Sequence, residues 1–401
     1  MFTREDLINR SFFGTRCYGD CRYSDSNAYI LIFSYPRTTS GIKLKFYNTS
    51  GTKIGEIGSD IENSKILDVD FALEEFGCGK FSFVLSGSPS FTIEYRTRVD
   101  VHLFNDSDPW YSGYVMNLPI TGSTELEYKY AGFGYYYQLE TCIIDKSYTN
   151  AEISAIAKDI VATFVEPGTD IVYDATLFTD TGYTINSINF NKVTAKKALN
   201  DLAEMAQNYI MGVGENRKLF FKPVNTDVNV DAIRHVGKNL EKYKPEEDTS
   251  EILNKIYILA GLITDGSNYI CTVEDEDSQE TYGVREGVLT IPSSLNVNDA
   301  QRWGNYKLSK LKDPVEKAVA EGITLKQIVI KADGKARIFD KYGNKKELYI
   351  KRVSYKVSPD GTICSMELGE LDIPISKDIL KILRDLKNEV ELQQINISQL
   401  V

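Results

Sequence analysis

The stretch from Phe91 to Leu139 most constrains how this chain can fold. Apolar and polar side chains alternate from Phe91 to Leu103, which is the period of a long half-buried β-strand. A turn signal at Asp108-Pro109 follows, and a second alternating segment from Leu126 to Tyr130 leads into an aromatic, glycine-containing run. Nothing in the stretch places a nucleophile beside a base. The pattern therefore predicts a chain built to be assembled into a larger structure.

Composition bounds the class of protein. The chain has 401 residues, enough for two to four domains, and a formal net charge of −11 from 46 Lys and Arg against 57 Asp and Glu. This balance argues against a chain-wide basic surface for nucleic acid, and it suits either a solvated surface or a channel wall that must not retain DNA. The 25 Tyr and 18 Phe favour β-rich packing and interfaces.

Targeting signals are not expected. Residues 1–6 have mixed charge and no apolar segment typical of a secretory signal, so the chain is predicted to fold in a cytoplasm. No run approaches the roughly 20 apolar residues that cross a bilayer, so no membrane-spanning segment is predicted.

Metal, cofactor and catalytic sites are not predicted either. Cys17 and Cys21 form the close pair among six cysteines, and His102 and His235 lie far from them, which favours free thiols. The acidic run 274–277 lacks the spacing of a calcium loop and predicts a solvated hairpin tip. No Ser-His-Asp or Cys-His arrangement is evident, so the chain is not expected to be an enzyme.

The first part of the chain divides into a β-rich segment and a mixed one. Residues 1–145 predict short strands and no helix of any length. Residues 146–224 predict a small α/β insert with two amphipathic helices. The first helix is expected to begin at Thr149 or Asn150, and the second is expected to be capped by Thr194 and to end near Gly212.

The second β-rich segment covers residues 225–375. A polar linker is predicted at 239–250, and one helix is predicted from Ala300 to Leu311 with Asp299 as its cap. Strands are expected at Leu325–Ala332 and Tyr349–Val357. The fold class is therefore mixed α+β and β-rich.

The C-terminal segment, 376–401, has the spacing of a coiled coil. Apolar residues separated alternately by four and three positions form a candidate oligomerisation seam. These residues are Ile379, Leu383, Leu386, Val390, Ile397 and Leu400, with Gln393 at the matching polar position. The pattern suits either a helix packed on its own domain or a helix that associates with other chains.

The order of segments resembles the tail hub, or baseplate hub, proteins of tailed bacteriophages. Five segments carry the resemblance: an aromatic strand-turn, an aromatic glycine strand, a helix followed by glycine and strand, a linker ending in Asn before a strand, and a Tyr-Gly segment followed by a helix. They are Trp110–Val115, Gly132–Leu139, Thr194–Phe221, Thr249–Ile256 and Gln279–Glu286. They follow one another in the family's order across about residues 65–371.

The resemblance implies a fold and a role. It implies two tail-tube-like β-barrels, at 1–145 and 225–375, flanking the insert 146–224 and followed by the helix 376–401. It implies a homotrimer at the virion tail tip, where six barrels meet the hexameric tube and narrow to a threefold spike or fibre. The implied partners are the tail tube and distal tail proteins, the tape measure protein, the spike or fibre, and phage DNA in the lumen, whose ejection the hub would gate.

Two other functions remain open at this point. Trp110 and Tyr111 could form a stacking platform for sugars, which would suit a receptor- or carbohydrate-binding tail-tip protein, although turn and core roles are favoured. A cell-wall hydrolase would need a pair of carboxylates, and sequence alone cannot single out such a pair among so many acidic residues.

Overall fold

The predicted strands meet in one large sheet. In the computed structural model, the structure describes residues 21–23, 29–31, 41–58, 66–104, 106–119, 127–259, 269–290, 297–325, 328–358 and 361–369. The strands in these ranges are, in chain order, β1 (Cys21–Tyr23), β2 (Tyr29–Leu31), β3 (Lys43–Tyr47), β4 (Lys53–Gly58), β5 (Ile66–Glu74), β6 (Gly77–Leu85), β7 (Arg98–His102), β8 (Tyr111–Asn117), β9 (Tyr128–Phe133), β10 (Ile143–Glu152), β11 (Thr184–Thr194), β12 (Tyr209–Val213), β13 (Leu219–Pro223), β14 (Val228–His235), β15 (Leu240–Asp248), β16 (Lys255–Leu259), β17 (Tyr269–Glu274), β18 (Glu286–Thr290), β19 (Val315–Ile323), β20 (Lys335–Phe339), β21 (Lys345–Ser358) and β22 (Gly361–Gly369).

Fifteen of these strands form a single hydrogen-bonded network, which we call the central sheet. Its main path runs β15-β19-β22-β21-β5-β6-β9-β8-β7-β3-β4, with β12, β13, β14 and β20 attached to it. The antiparallel pairing of β5 with β21 joins the two β-rich segments of the sequence. The path has two ends, β4 and β15, and the described strands do not close on themselves. The β-rich fold class is confirmed, and the two closed barrels stay a prediction.

Aromatic side chains fill the core beneath the central sheet. Phe83 stacks on Tyr130 with ring centroids 4.8 Å apart, and Phe46 meets Phe83 edge to face at 5.7 Å. These positions alternate along β3, β6 and β9, as the sequence predicts for strands with one buried face. The alternation is what places the rings on the same side of neighbouring strands.

The long strand predicted from Phe91 to Leu103 is wrong in its first half. Only Arg98–His102 is a strand, and the chain before it turns, with Arg96 at φ 65° and the Thr97 amide donating to the Glu94 carbonyl. The Phe91 ring packs where a side chain at Gly55 would stand, and Ile93 is buried. Apolar residues alternate with polar ones here because Phe91 and Ile93 pack in the core from an irregular segment, which gives the same pattern as a strand.

Residues 143–223, where an insert domain was predicted, form an α/β element that we call the first lobe. Strands β10 and β11 form a two-stranded antiparallel sheet, and α1 (Ile153–Ile160) and α2 (Ala195–Ala206) bury the predicted apolar faces. Thr194 caps α2 as predicted, since its hydroxyl accepts from the Lys197 amide at 3.2 Å. The predicted boundaries of the lobe stay a prediction.

Two helix limits in the first lobe were predicted wrongly. Helix α1 is capped by Glu152, whose carboxylate accepts from the Ala155 amide at 2.8 Å, because β10 continues past Thr149 and Asn150. Helix α2 ends at Ala206, and β12 occupies the residues up to Val213. Residues 1–145 also contain a six-residue 3-10 helix, Tyr135–Glu140, where no helix was expected.

A second α/β element, the second lobe (residues 252–311), lies in the sequence between β15 and β19. Strands β17, β16 and β18 form a three-stranded sheet, against which α4 (Val297–Leu311) packs. Gly304 permits this approach, because a Cβ there would lie 2.0 Å from Ile258 Cδ1. The helix predicted at Ala300–Leu311 is confirmed, although Asp299 lies inside its first turn and does not cap it.

Three other local predictions are wrong. The linker expected at 239–250 contains β15, a polar strand paired with β19. The expected hairpin tip at 274–277 is the start of α3 (Glu276–Tyr282), with the Asp275 carboxylate accepting from the Ser278 amide at 2.9 Å. Residues 328–332 are not a strand, and the strand comes later, at β20. Strand β21 includes the predicted Tyr349–Val357.

Candidate assembly surfaces

The most extended candidate surface is the face of the central sheet opposite the aromatic core. We call it the outer face and define it by the side chains of β19, β22, β21, β5, β6 and β9 that alternate with core residues. Six strands at the usual spacing of about 4.8 Å give a width of roughly 24 Å. Val319 and Ile363 lie on this face with 38% and 47% of their surfaces exposed. Apolar side chains therefore reach solvent within a polar surface.

Several charges on the outer face are paired from strand to strand. Arg352 on β21 lies 3.7 Å from Glu74 on β5 and 3.7 Å from Glu367 on β22. Lys356 lies 3.3 Å from Asp68. Burial raises the pKa of Glu74, and Arg352 opposes that shift. The pairs of Arg352 with Glu367 and of Lys356 with Asp68 are exposed enough to contribute little to stability, so their main effect is to balance charge on the surface.

The centre of the outer face carries short side chains. Ser354 on β21 lies opposite Ser365 on β22 on one side and opposite Ala72 on β5 on the other. Asp70 lies two residues before Ala72 on β5. Burial and the neighbouring Asp68 raise the pKa of the Asp70 carboxyl. Short side chains therefore occupy the centre of the outer face, between charged side chains on the same strands.

The two terminal strands of the central sheet differ. Strand β15 carries Pro245, which lacks an amide hydrogen, between the exposed side chains of Lys244 and Glu246. Strand β4 has neither a proline nor an unbroken row of charge, and its Glu56 pairs with Lys43 at 3.4 Å and with Lys53. Natural proteins protect free edges with charge and proline, so, among the strands that the structure describes, β15 is the protected terminal strand and β4 is the better edge for pairing with another chain.

The predicted seam residues cannot be placed in this fold. Ile379, Leu383, Leu386, Val390, Ile397 and Leu400 all lie outside the described residues. The seam and its role in oligomerisation stay predictions.

The possible sugar platform is wrong. Trp110 is 4% exposed and Tyr111 is fully buried, so neither ring can stack on a ligand in solution. The Trp110 Nε1 donates to the Asp106 carboxylate at 2.5 Å, and the Tyr111 hydroxyl donates to the Gly79 carbonyl at 2.7 Å. Both residues are core residues, which is the role that the sequence favoured.

Potential metal ligands and thiols are dispersed over the described part of the chain. Within the described ranges, no group of three or more His, Cys, Asp or Glu side chains could hold a metal ion. A cleft with a cavity volume of about 10 Å³, lined by Tyr183, Met205, Asp299, Arg302 and Trp303, is far smaller than ordinary ligand pockets. Cys78, Cys142, Cys271 and Cys364 are free thiols, as predicted, while Cys17 lies outside the described residues. That the chain is not an enzyme stays a prediction.

No helix in the described part of the chain has both the length and the apolar character required to cross a membrane.

The outer face was missed from the sequence for a physical reason. Strands β5 and β21 each show alternating charge around Asp68, Glu74, Arg352 and Lys356, which is a signal of one polar face. Their pairing joins segments from opposite ends of the chain, and nothing local in either segment indicates its partner.

Comparison with solved structures identifies the fold. The chain is similar to the 43 kDa tail protein of prophage MuSo2 from Shewanella oneidensis, at 16% identity and a TM-score of 0.61, with 82% of this chain and 98% of that one covered. A tail protein from Neisseria meningitidis matches at 14% identity and a TM-score of 0.60, covering 82% and 97%. This chain has the fold of phage tail proteins.

The tail-protein fold extends to a third structure. Prophage tail protein gp18 from Listeria monocytogenes matches at 15% identity and a TM-score of 0.54, with 86% of this chain and all of that one covered. Searches of protein-family models and of curated proteins found no match. The resemblance stated from the sequence is therefore confirmed at the level of the fold.

Proposed function

We propose that this chain is a structural protein of a phage tail, and that it forms the hub ring at the distal end of the tail tube. The observation that carries the proposal is the shared fold, which spans nearly the whole length of the compared tail proteins. The extended outer face and the paucity of reactive clusters among the described residues agree with a structural role.

In this proposal the chain is a homotrimer. Segments 1–145 and 225–375 each supply a tube-like β-barrel, so three chains present six barrels to a hexameric tube, and the insert 146–224 lies at the periphery. Closing such a ring needs a head-to-tail contact between different surfaces of neighbouring chains. The edge of β4 supports this, since it is the less guarded end of the central sheet.

The outer face suits the lumen of such a ring. Its cross-strand pairs, Arg352 with Glu74 and Lys356 with Asp68, occupy cations that would otherwise attract phosphates. Short side chains at Ser354 and Ser365 leave room in the bore. DNA could then pass without being held, and the hub would gate its ejection and the host entry that follows.

The C-terminal segment 376–401 is proposed to form a three-helix bundle at the tip. Its alternating spacing of four and three would bury Leu386 and Val390 between chains. The bundle would close the tube or dock the spike or fibre, while the opposite side of the ring would meet the tail tube, distal tail proteins and tape measure protein.

The mass of the purified chain in solution tests this proposal. We expect three times the chain mass of 45.2 kDa, and images of ring-shaped particles with threefold symmetry. A monomer that persists at high concentration and binds no tail tube ends would contradict it.

A pair of variants tests the seam separately. Leu386→Asp with Val390→Asp should shift the trimer towards monomer, because charges would enter the buried seam. Leu392→Asp with Ile395→Asp is the matched control, since these apolar residues lie off the seam in the same segment. Equal effects of both pairs would show that the seam does not set the oligomeric state.

A further inference from the structure

The first and second lobes touch through helices α2 and α4. One face of α4 presents Asp299, Arg302, Trp303, Tyr306 and Lys307, which are spaced as one helical stripe. Opposite this stripe lie the C-terminal half of α2 and the residues that follow it. The β10–β11 sheet of the first lobe and the three-stranded sheet of the second lobe are separate sheets, whereas β12 and β13 of the first lobe belong to the central sheet.

A buried ion pair lies in the middle of this contact. Lys307 Nζ is 2.9 Å from the Glu204 carboxylate, with the lysine side chain 2% exposed and the glutamate 16%. Desolvation lowers the pKa of Lys307, and Glu204 and the nearby Asp201 oppose that shift. The attraction within such a buried pair offsets little of the free energy needed to desolvate both charges, so the pair contributes less to stability than apolar packing would. Removing one partner is nevertheless costly, because the other charge then stays buried without a partner.

Several of the remaining contacts are also polar. The Arg302 guanidinium lies 3.6 Å from the centre of the Tyr183 ring and donates to the Met205 carbonyl at 3.0 Å. The Gln207 side-chain amide donates to the Arg302 carbonyl at 3.1 Å. Polar contacts of this kind are typical of interfaces between elements that move relative to one another.

The turn after α2 is strained at this contact. Gln207 and Asn208 have φ values of 59° and 53°, which residues with a side chain rarely adopt and which cost of order 1–3 kcal/mol each. The Asn208 amide donates to the Tyr306 hydroxyl at 3.1 Å, so α4 supplies a hydrogen-bond partner for the turn in this strained conformation.

The strained turn leads directly into the central sheet. Strand β12 begins at Tyr209, and its Val213 pairs with Gly77 at the start of β6. Gly77 is at φ 108°, and a Cβ there would lie 1.9 Å from the Val213 carbonyl oxygen, so this junction is tightly fitted. A change in the turn would therefore be transmitted to β6.

We propose that the α2–α4 contact is a releasable latch, from which the second lobe separates as an intact unit. While the latch is closed, α4 holds the Gln207–Asn208 turn in its strained conformation. Release relaxes the turn and loosens β12 at the central sheet. The position of the second lobe is in this way coupled to the sheet.

Hydrogen exchange of backbone amides in the full chain tests the latch. The latch variant carries Arg302→Ala and Tyr306→Phe, which remove the ring contact and the acceptor of the Asn208 amide. We expect amides of residues 207–213 to exchange about tenfold faster or more, while amides of β16 keep their wild-type rates. The matched control is Gln301→Ala with Asn305→Ala, on the exposed side of the same helix, and it should change neither rate.

A rescue variant tests whether strain in the Gln207–Asn208 turn, and not only the lost contact with α4, causes the faster exchange. Gln207→Gly with Asn208→Gly, added to the latch variant, should restore slow exchange at residues 209–213, because glycine adopts positive φ without strain. Failure of the rescue, or unchanged exchange in the latch variant, would overturn the proposal.

Wild-type protein in mild urea gives a second measurement if the latch variant does not fold. Residues 207–213 should become exposed to exchange at lower urea than β16. Loss of protection in both segments at one urea concentration would show a single cooperative unit and would refute the latch.

Discussion

The ring of Tyr355 on β21 stacks on the ring of Phe71 on β5, with centroids 4.9 Å apart and planes 17° from parallel. The Tyr355 hydroxyl also accepts from the Ile330 amide at 2.8 Å and donates to the Ile330 carbonyl at 2.9 Å. Burial raises the pKa of this hydroxyl, so it stays neutral. One side chain thus ties the two β-rich segments and the loop before β20 together.

Tyr355→Phe should destabilise the fold while keeping the ring stack. It removes the shared partner of the Ile330 amide and carbonyl, both buried, so we expect a loss of about 1–3 kcal/mol in the free energy of unfolding. Urea denaturation measures this. Tyr342→Phe, at a ring that is 78% exposed, is the control and should change little. Equal stabilities of the two variants would disprove a structural role for the Tyr355 hydroxyl.

Asp201→Asn should flatten the dependence of stability on pH. Burial raises the pKa of Asp201 to about 6, above its ordinary 3.8, so the folded state holds the proton more tightly than the unfolded state. The wild type should therefore gain stability as pH falls from 7 towards 4, by up to about 3 kcal/mol from this group.

Urea titrations at pH 7, 6 and 5 compare the two proteins. The variant should be the more stable at pH 7, and the difference should shrink on acidification. Asp277→Asn, at an exposed position of α3, is the control and should follow the wild type. A constant difference between Asp201→Asn and wild type across this range would contradict the assignment.

Gly134→Ala should disrupt the junction between β9 and the 3-10 helix. A Cβ at Gly134 would lie 1.9 Å from the Cys78 carbonyl oxygen, and backbone cannot yield as a side chain can. We expect a loss of about 3 kcal/mol or a failure to fold. Gly168→Ala is the control, because its Cβ would meet only Cys142 Sγ at 3.9 Å. Thermal unfolding of both variants distinguishes close approach from a general effect of replacing glycine.

Thr194→Ala should cost about 1 kcal/mol, the usual contribution of an N-cap side chain. The loss should be visible in urea denaturation and in faster exchange of the Lys197 amide. Thr194→Ser retains the hydroxyl and should remain close to wild type. If serine destabilises as much as alanine, the hydroxyl does not cap α2.

The sequence predicted elements whose burial is one-sided. Strand β21 and the apolar stripes of α1 and α2 each face a core on one side, so their periods are visible without knowing the partner. Strand β15 was missed because Lys244, Pro245 and Glu246 are all exposed, which leaves no alternation to detect.

The pairing of β21 with β5 could not be predicted from the sequence, for a different reason. The alternation of β21 indicates that one face is buried, and many strands would satisfy that face equally well. Its actual neighbour, β5, is selected by the assembled core, including Phe71 beneath Tyr355. The outer face, which depends on this neighbour, could therefore not be assembled from local patterns.

The pairing of β5 with β21 also affects when the chain can complete its fold during synthesis. Strand β5 leaves the ribosome long before β21 is translated, so the edge of β5 that pairs with β21 stays unpaired until then. Pairing β5 with β21 closes a loop that contains most of the chain, which is slow, so completion of the fold should lag behind translation.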